Sequence, residues 1–462
     1  MRPLTLLACS IASLPMAAAA DIPFTLDPVG VEAPSASTDV SLELDANEEP
    51  RLSFNARDGV NPALFYAEKS GETWAVEVVD YLKYAYGPST SLALDSNGEP
   101  HISYYKATDL KLHYARRSGG TWITEIVDPN PFLHSGIGTS IAVDANDVPH
   151  ISYFVNTFDE SGPLFGWLKY ATKVAGQWIT EAPGGLDVAG GPPYTSLVLD
   201  ASGNPCISYT DFINSDLRIA RKTGGVWTSE VVNPIVESVD RFSSITIDAN
   251  GVLHIGYRTM SPSQLLKYAT QSGAAWITEP VDDLAGYQVP ISIDADAQGN
   301  PWISYSDPVD AKLKLATKQG GVWTTQIIDS NSYSTSIVVD SHNLPWIAYH
   351  SPAAADLLVA IPNLAAVGVE PFAANDSFVG APFPNPSRGL VSLGIRLPTT
   401  DSVRLTLFDV GGRMISRIPG QELQVGSRVV TWNPRHIESG VYFLRVESNS
   451  GIQETRQITV IR

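Results

Sequence analysis

The chain has 462 residues, of which 44% are hydrophobic and 17% charged, and its formal net charge is −19. This length predicts two domains. The negative charge falls on residues 1–380, with 20 basic and 43 acidic residues, and it argues against nucleic acid and anionic membrane surfaces as partners.

Residues 1–20 carry the signature of export. A basic residue is followed by an apolar stretch and a run of alanines, which predicts a signal peptide cleaved after Ala20. The rest of the chain holds one cysteine, Cys206, so no internal disulfide bond can form. No later apolar run is long enough to span a bilayer as a helix.

Residues 21–370 are dominated by a unit that recurs seven times. Each copy has two short alternating strands around a turn that begins with aspartate, and a third and a Trp-bearing fourth strand follow in six copies. A serine stands four residues before each aspartate and an aromatic residue nine after it. The turn aspartates are Asp45, Asp95, Asp144, Asp200, Asp248, Asp296 and Asp340. Four short strands per unit of roughly 40–50 residues predict the blades of a seven-bladed β-propeller.

The seventh unit lacks a Trp-bearing fourth strand. A propeller blade can be completed by a strand from the other end of the chain. We therefore predict that Ile22–Val29 completes this blade, with Leu364–Glu370 as the competing candidate.

The connections predict two unlike rims. The turns between strands one and two and between strands three and four are short and uniform. The other connections vary in length and meet on the opposite rim, where recognition usually takes place. We expect ligand contacts there, to a glycan or a surface protein, although solvated loops would have the same composition. The predicted contact residues are Phe158, Asp159, Phe165, Trp167, Asp211, Phe212 and Tyr287.

Three repeated polar positions could hold a metal ion, and each also has a structural interpretation. His101, His150 and His254 share one repeat position, which favours packing between blades over a zinc site. The seven aspartates favour turn capping over calcium, because no DxDxDG run is present. The seven serines near the channel could hold waters or an ion, although small size at a crowded centre explains them. We therefore predict no cofactor, with calcium as the alternative.

The repeat motif D-x-x-G-x-P-H-I-S-Y, with a later Trp, resembles the repeats of secreted bacterial seven-bladed propellers. It is distantly similar to the Asp-box of sialidases, whose spacing it does not reproduce. The propeller arginines do not fall at equivalent places on three inner strands, so the resemblance does not extend to sialidase activity.

From about Phe372 the composition changes. After a linker at 371–380, short strands separated by PNP, GGR and SGV turns predict a small β-sandwich over 381–462. Pro384–Pro386, Phe408–Arg413 and Gly440–Arg445 resemble the C-terminal sorting domain of type IX secretion cargo and the FlgD-type Ig-like module. The resemblance implies the secretion machinery as a partner and a secreted or outer-surface location in a Gram-negative-type bacterium. A plain structural Ig-like module is the alternative.

These observations predict an all-β protein, a seven-bladed β-propeller followed by a small Ig-like β-sandwich. Its expected function is non-catalytic binding at the cell surface. The alternative is a secreted glycosidase or lyase at the channel mouth that uses carboxylates such as Asp159, Glu160 and Asp211, two of which would have to face each other.

Overall fold

The computed structural model describes residues 22–31, 39–82, 89–130, 133–159, 162–183, 194–211, 213–233, 237–261, 263–273, 275–284, 290–307, 309, 311–330, 332–362, 378–379, 391–397, 401–423, 426–432, 437–449 and 453–460. The side chains of Phe158 to Phe165 and of several C-terminal strand residues lie outside this description. The chain divides into two compact units, Met1–Pro362 and Asn363–Arg462. The predicted signal peptide and the 370/371 boundary fall on residues that are not described. The predicted linker at 371–380 does so too except at Phe378–Val379, which form a short strand.

The described part of the first unit is built from strands that form seven four-stranded antiparallel sheets. Its strands are β1 (Phe24–Pro28), β2 (Val40–Leu44), β3 (Pro50–Asp58), β4 (Asn61–Ser70), β5 (Thr73–Tyr81), β6 (Thr90–Leu94), β7 (Pro100–Lys106), β8 (Lys111–Ser118), β9 (Thr121–Ile126), β10 (His134–Val143), β11 (Pro149–Asp159), β12 (Gly162–Val174), β13 (Gln177–Glu181) and β14 (Ser196–Leu199). They continue as β15 (Pro205–Asp211), β16 (Asp216–Thr223), β17 (Val226–Val231), β18 (Ser238–Ile247), β19 (Leu253–Ser261), β20 (Leu265–Ser272), β21 (Ala275–Asp283), β22 (Ile291–Ala295), β23 (Pro301–Ser306), β24 (Leu313–Gln319), β25 (Val322–Asp329), β26 (Thr335–Val339), β27 (Pro345–Ser351) and β28 (Asp356–Pro362).

Each predicted repeat forms one sheet. Sheets 1 to 6 take four consecutive strands each, from β2–β5 to β22–β25, and sheet 7 has the order β1-β28-β27-β26. The first strands of neighbouring sheets contact each other in chain order, and β26 of sheet 7 also contacts β2 of sheet 1. The contacts between first strands are therefore cyclic.

Strand β1 completes sheet 7, as predicted from Ile22–Val29. It pairs antiparallel with β28, from Phe24 opposite Pro362 to Pro28 opposite Leu358. The competing segment, Leu364–Glu370, lies outside the described residues.

The cores of the first unit lie between successive sheets. The second strands read apolar–polar–apolar, so alternate residues face opposite neighbours. One cluster joins Leu64 and Tyr66 of sheet 1 to Leu92, Ile102 and Tyr104 of sheet 2. Each such side chain removed from water stabilises the fold by roughly 1.5–3 kcal/mol. A sheet that uses both faces in this way needs a neighbour on each side.

The seven serines are hydrogen-bonded to the neighbouring sheet. Each Ser Oγ accepts a bond from a backbone N–H of the next first strand, as Ser41 does from Leu92 at 3.0 Å. The last of these bonds runs from Leu42 N–H of sheet 1 to Ser336 of sheet 7 at 3.0 Å. The other five serines, Ser91, Ser140, Ser196, Ser244 and Ser292, accept bonds from Ile141, Leu197, Ile245, Ile293 and Ile337. The sequence explains these serines by their small size, but the structure shows that each also accepts a hydrogen bond from the neighbouring sheet.

The second unit has two antiparallel sheets over one core. Strands β29 (Phe378–Val379), β30 (Val391–Leu397) and β33 (Gly426–Trp432) form one sheet, and β32 (Met414–Leu423), β31 (Asp401–Asp409), β34 (Gly440–Ser448) and β35 (Gln453–Val460) form the other. Apolar residues of both, such as Leu393, Leu405 and Leu444, share one cluster. The described residues contain no helix long and apolar enough to cross a membrane.

Candidate functional site

The aspartate turns form one uniform edge of the first unit. In all seven sheets five residues separate the first two strands, and the aspartate Oδ1 accepts bonds from the backbone N–H groups two and four residues later. In Asp95 these bonds measure 2.8 Å from Asn97 and 2.9 Å from Glu99. The other six turns repeat the pattern. These contacts support turn capping, the interpretation favoured from the sequence.

The second aspartate oxygen also has neighbours. In three turns it faces a histidine six residues later, with Asp–His distances of 3.6–3.7 Å. Arg51 and the Trp346 indole take that place in sheets 1 and 7. In the remaining two turns Asn204 and Asn300 donate to Asp200 and Asp296 at 3.0 and 2.8 Å.

The three repeat histidines each bind a tyrosine of their own sheet. His101 Nδ1 lies 2.7 Å from the Tyr114 hydroxyl, and His150 and His254 repeat the contact with Tyr170 and Tyr268. Burial lowers the pKa of all three histidines, and the nearby aspartates oppose this effect in part. The histidines do not converge. Tyr114 in turn lies edge-on to Trp178 of the next sheet, so this pair contributes to packing between sheets.

One mixed cluster among the described residues has the composition of a metal site: Glu48, Asp340 and His342. However, Asp340 accepts from two backbone amides and from the Trp346 indole. Glu48 lies 3.2 Å from His342 Nδ1 and accepts from Ser341 N–H. An ion pair between sheets 1 and 7 accounts for these contacts.

The first strands enclose a central cavity of about 150 Å³, lined largely by serine and threonine from every sheet. Asp39 and Tyr194 lie at its end away from the aspartate turns. Burial raises the pKa of Asp39 to about 7, against a hydrogen bond from Ser89. The Asp39 charge, followed by burial, raises the pKa of Tyr194.

A second cavity of about 850 Å³ opens at the aspartate turns. Glu43 lines it, and burial, followed by the charge of Asp294, raises the pKa of Glu43 to about 8. Asp294 accepts bonds from Thr246 Oγ1, Val339 N–H and Ala295 N–H. The sequence interpretation missed both acids. Aligning the repeats would have found them, because four of the other five copies have alanine or valine two residues before the turn aspartate.

The structure brings together only some of the predicted contact residues. Phe158 and Asp159 end β11, and Phe165 lies in β12 opposite Thr157, so all three belong to one hairpin. Trp167 is opposite Val155 and packs partly buried against a hydrophobic core. Phe212 and Tyr287 lie outside the described residues.

Asp211 has a structural role. It is buried near the end of β15 and accepts from Ile213 N–H at 3.1 Å and from the Asn214 amide at 2.8 Å. Asp216 is its partner across β15 and β16, and burial raises the pKa of Asp216. A turn-capping carboxylate is poorly suited to general acid–base chemistry. Glu160 is not described, nor is the Asp159 side chain.

Comparisons add one family match and several distant structural likenesses. Residues 381–461 match the family described as "Secretion system C-terminal sorting domain". A protein of unknown function from Dyadobacter fermentans is 13% identical, with 59% of this chain and 92% of that chain covered and a TM-score of 0.44. The SapL1 lectin in complex with alpha methyl fucoside is 15% identical, with 65% and 98% covered and a TM-score of 0.44. A PL25 polysaccharide lyase, an ulvan lyase, is 11% identical, with 71% and 92% covered and a TM-score of 0.46.

These identities and scores carry no functional argument for this chain. No curated protein matches the sequence. The sorting-domain match is specific to the C-terminal segment and agrees with the resemblance noted in its turns. The protein is therefore secreted or lies at the outer cell surface of a Gram-negative-type bacterium, with a C-terminal segment similar to type IX sorting domains.

Proposed function

We propose that this protein is an exported, non-catalytic binding protein. Its first unit is a seven-bladed β-propeller closed by β1, and it recognises a glycan through the rim that carries the unequal connections. The C-terminal segment is an Ig-like module that directs type IX secretion. The cyclic contacts between first strands and the bond from Leu42 to Ser336 support the closed seven-bladed form.

The contrast between the two rims carries the binding proposal. On the aspartate rim all seven turns have five residues, and the turns between third and fourth strands have two. On the opposite rim the connections between second and third strands range from two to six residues, and those between sheets from five to 14. Regular turns with satisfied polar groups support a frame, whereas unequal connections supply differences in contact surface.

The β11–β12 hairpin is the leading candidate contact element. Its strands have 11 and 13 residues, the longest pair in the first unit, and its end contains Phe158, Asp159 and Phe165. Aromatic rings with a neighbouring carboxylate suit the apolar faces and hydroxyl groups of a sugar. Trp167 serves as a support for the hairpin, because it packs against the core.

A glycan array with the purified chain tests this function. We expect a selective glycan signal that is lost in Phe158→Ala and Phe165→Ala and kept in Val226→Ala, a control at an exposed position beside the opposite rim. Binding that survives both hairpin changes would refute the assigned surface. Binding only to proteins, or turnover of a glycan, would replace the proposed function by a protein receptor or an enzyme.

A further inference from the structure

The larger cavity lies on the rim opposite the proposed glycan surface. First strands of sheets 1 to 5 line it, together with residues of the first two aspartate turns. Aliphatic residues of the first strands, among them Ala93, Ala142, Val198 and Ile247, form part of its wall, and charged and polar residues form the rest. A volume of about 850 Å³ is within the range of small-molecule sites.

Glu43 is the exceptional group in this cavity. It stands two residues before Asp45, where the equivalent residues of sheets 2, 3, 4 and 7 are Ala93, Ala142, Val198 and Val338. Its side chain is partly buried and lines the cavity, and burial raises the pKa of its carboxyl group. No described residue forms a hydrogen bond or ion pair with it. A partly buried carboxylate without a partner is costly, and four of the six other copies have alanine or valine at this position.

The charged groups around Glu43 do not neutralise it. Arg51 is opposite Glu43 on β3, but its guanidinium bonds Asp45 and the Lys69 carbonyl oxygen. Asp294 on β22 adds negative charge. Ala93 and Leu94 of the neighbouring strand β6 are apolar and line the same cavity.

The other charged residues of the lining leave it acidic. Arg117 is committed to Glu68 and to Glu77 of sheet 1. Asp95 and Glu99 are the remaining charged groups of the wall, both acidic, and Glu99 lies 3.6 Å from Arg117. The field inside the cavity therefore favours a cation.

The side chains of the wall determine which kind of cation fits the cavity. Calcium requires six to eight oxygen ligands, whereas the other carboxylates of this wall already have partners and only Glu43 among the described lining residues has none. Quaternary ammonium groups are held by aromatic faces, and no aromatic residue of the described chain lines this cavity. A primary ammonium group can donate to Glu43 while its alkyl chain lies along Ala142 and Val198. We propose that this cavity binds a primary alkylammonium ion, with Glu43 as its counter-ion.

Titration calorimetry with butylammonium chloride tests the site in the complete purified chain. At about pH 9 the ligand is charged and Glu43 is ionised, so we expect binding. At about pH 6, below the raised pKa of Glu43 near 8, we expect roughly 100-fold weaker binding. Tetramethylammonium and calcium chloride, the matched probes, should bind much more weakly.

Two variants separate the charge from the apolar wall. Glu43→Gln should abolish binding, and Ala142→Leu should weaken it by filling the wall. Glu72→Gln, in the exposed β4–β5 turn, should bind like the parent chain. Thermal melting checks that each variant folds. Absence of binding at about pH 9, equal binding by Glu43→Gln, or preference for calcium would overturn the proposal. None of these outcomes bears on glycan binding at the other rim.

Discussion

At the scale of single residues, the aspartate turns show how the copies compensate for one another. In five copies the residue six positions after the turn aspartate faces its second oxygen: Arg51, a histidine in three copies, or Trp346. Cys206 and Trp302 do not supply a partner for this oxygen, and in those two copies the residue four after the aspartate is asparagine, Asn204 or Asn300. These paired changes are visible in the sequence once the copies are aligned, but the bond that links them is visible only in the structure.

We expect Asn300→Ala to lower the free energy of unfolding by about 1 kcal/mol, because Asp296 loses a side-chain donor at 2.8 Å. Chemical denaturation measures the change. Val252→Ala is the matched control at the same turn position of sheet 5, where His254 faces the aspartate. An equal loss in both variants would contradict the role assigned to Asn300.

The buried histidines give stability a defined pH dependence. Burial lowers the pKa of His101, His150 and His254 in the folded chain below the unfolded value near 6.5. The unfolded chain therefore binds protons first, and this contribution to stability is lost as pH falls below about 6.5. Replacing all three with glutamine should flatten the fall in melting temperature between about pH 7 and pH 5. An unchanged slope would contradict the assignment.

At the scale of elements, β1 reproduces the fourth strand of the other sheets. Six fourth strands carry a tryptophan followed three residues later by glutamate or glutamine, from Trp74–Glu77 to Trp323–Gln326. In β1 the same spacing joins Phe24 to Asp27. Asp27 accepts from the Trp74 indole at 2.9 Å and pairs with Lys69, as Glu125 does with Trp178 and Lys173 of sheet 3.

We expect Asp27→Asn to destabilise the first unit by about 1 kcal/mol, because the half-exposed carboxylate loses its ion pair with Lys69 and a strong acceptor for Trp74. Asp58→Asn, whose carboxylate accepts from exposed Tyr81, should cost much less. Denaturant unfolding of the two variants measures the difference. Equal losses in the free energy of unfolding would contradict the claim that this contact holds β1.

The seams between sheets follow two packing solutions. In five seams a serine of the second strand bonds a hydroxyl in the next first strand or directly before it, as Ser53 does with Thr90 at 3.0 Å. The same contact recurs at Ser103, Ser152, Ser208 and Ser304. In the other two seams a small residue meets a branched one: Gly256 lies against Ile291, and Ala348 shares a core with Val40.

At the scale of the first unit, the seam between sheets 7 and 1 has an additional ion pair. The hydrogen bond with Glu48, as the largest cause, raises the pKa of His342, and the pKa of Glu48 falls to about 2. The contribution of His342 is present below the unfolded pKa and is lost as pH rises through its raised folded pKa.

Glu48→Gln should lower the pKa of His342, measured by NMR titration of the histidine ring. Glu49→Gln, which removes a neighbouring carboxylate 3.9 Å from Arg51, should leave it nearly unchanged. If the pKa of His342 does not change in Glu48→Gln, then Glu48 and His342 do not form an ion pair in this seam.

Much of this fold followed from spacing alone. The copy number, the turn aspartates and the use of Ile22–Val29 as a completing strand came from the repeat, because local pattern determines strands and turns. The serine bonds to Leu92 and its equivalents could not be predicted, since they join separate copies. The tyrosine partners of the three histidines were not predicted either, because they lie on the third strand of the same sheet. Aligning the copies would have singled out Glu43 as an acid at a position that is alanine or valine in four others, but only the structure places it in a cavity. The roles of the loop residues remain a prediction.

The pairing of Phe24 with Pro362 has a consequence for biogenesis. A chain made and exported from its N-terminus delivers β1 first and its partner β28 last. Until then both strand edges remain open to non-native pairing, and local folding of the sheets in between cannot protect them. Stalled translocation should therefore produce an aggregation-prone intermediate. Chaperones that bind the N-terminal segment would raise the yield of folded protein without changing the stability of the finished fold.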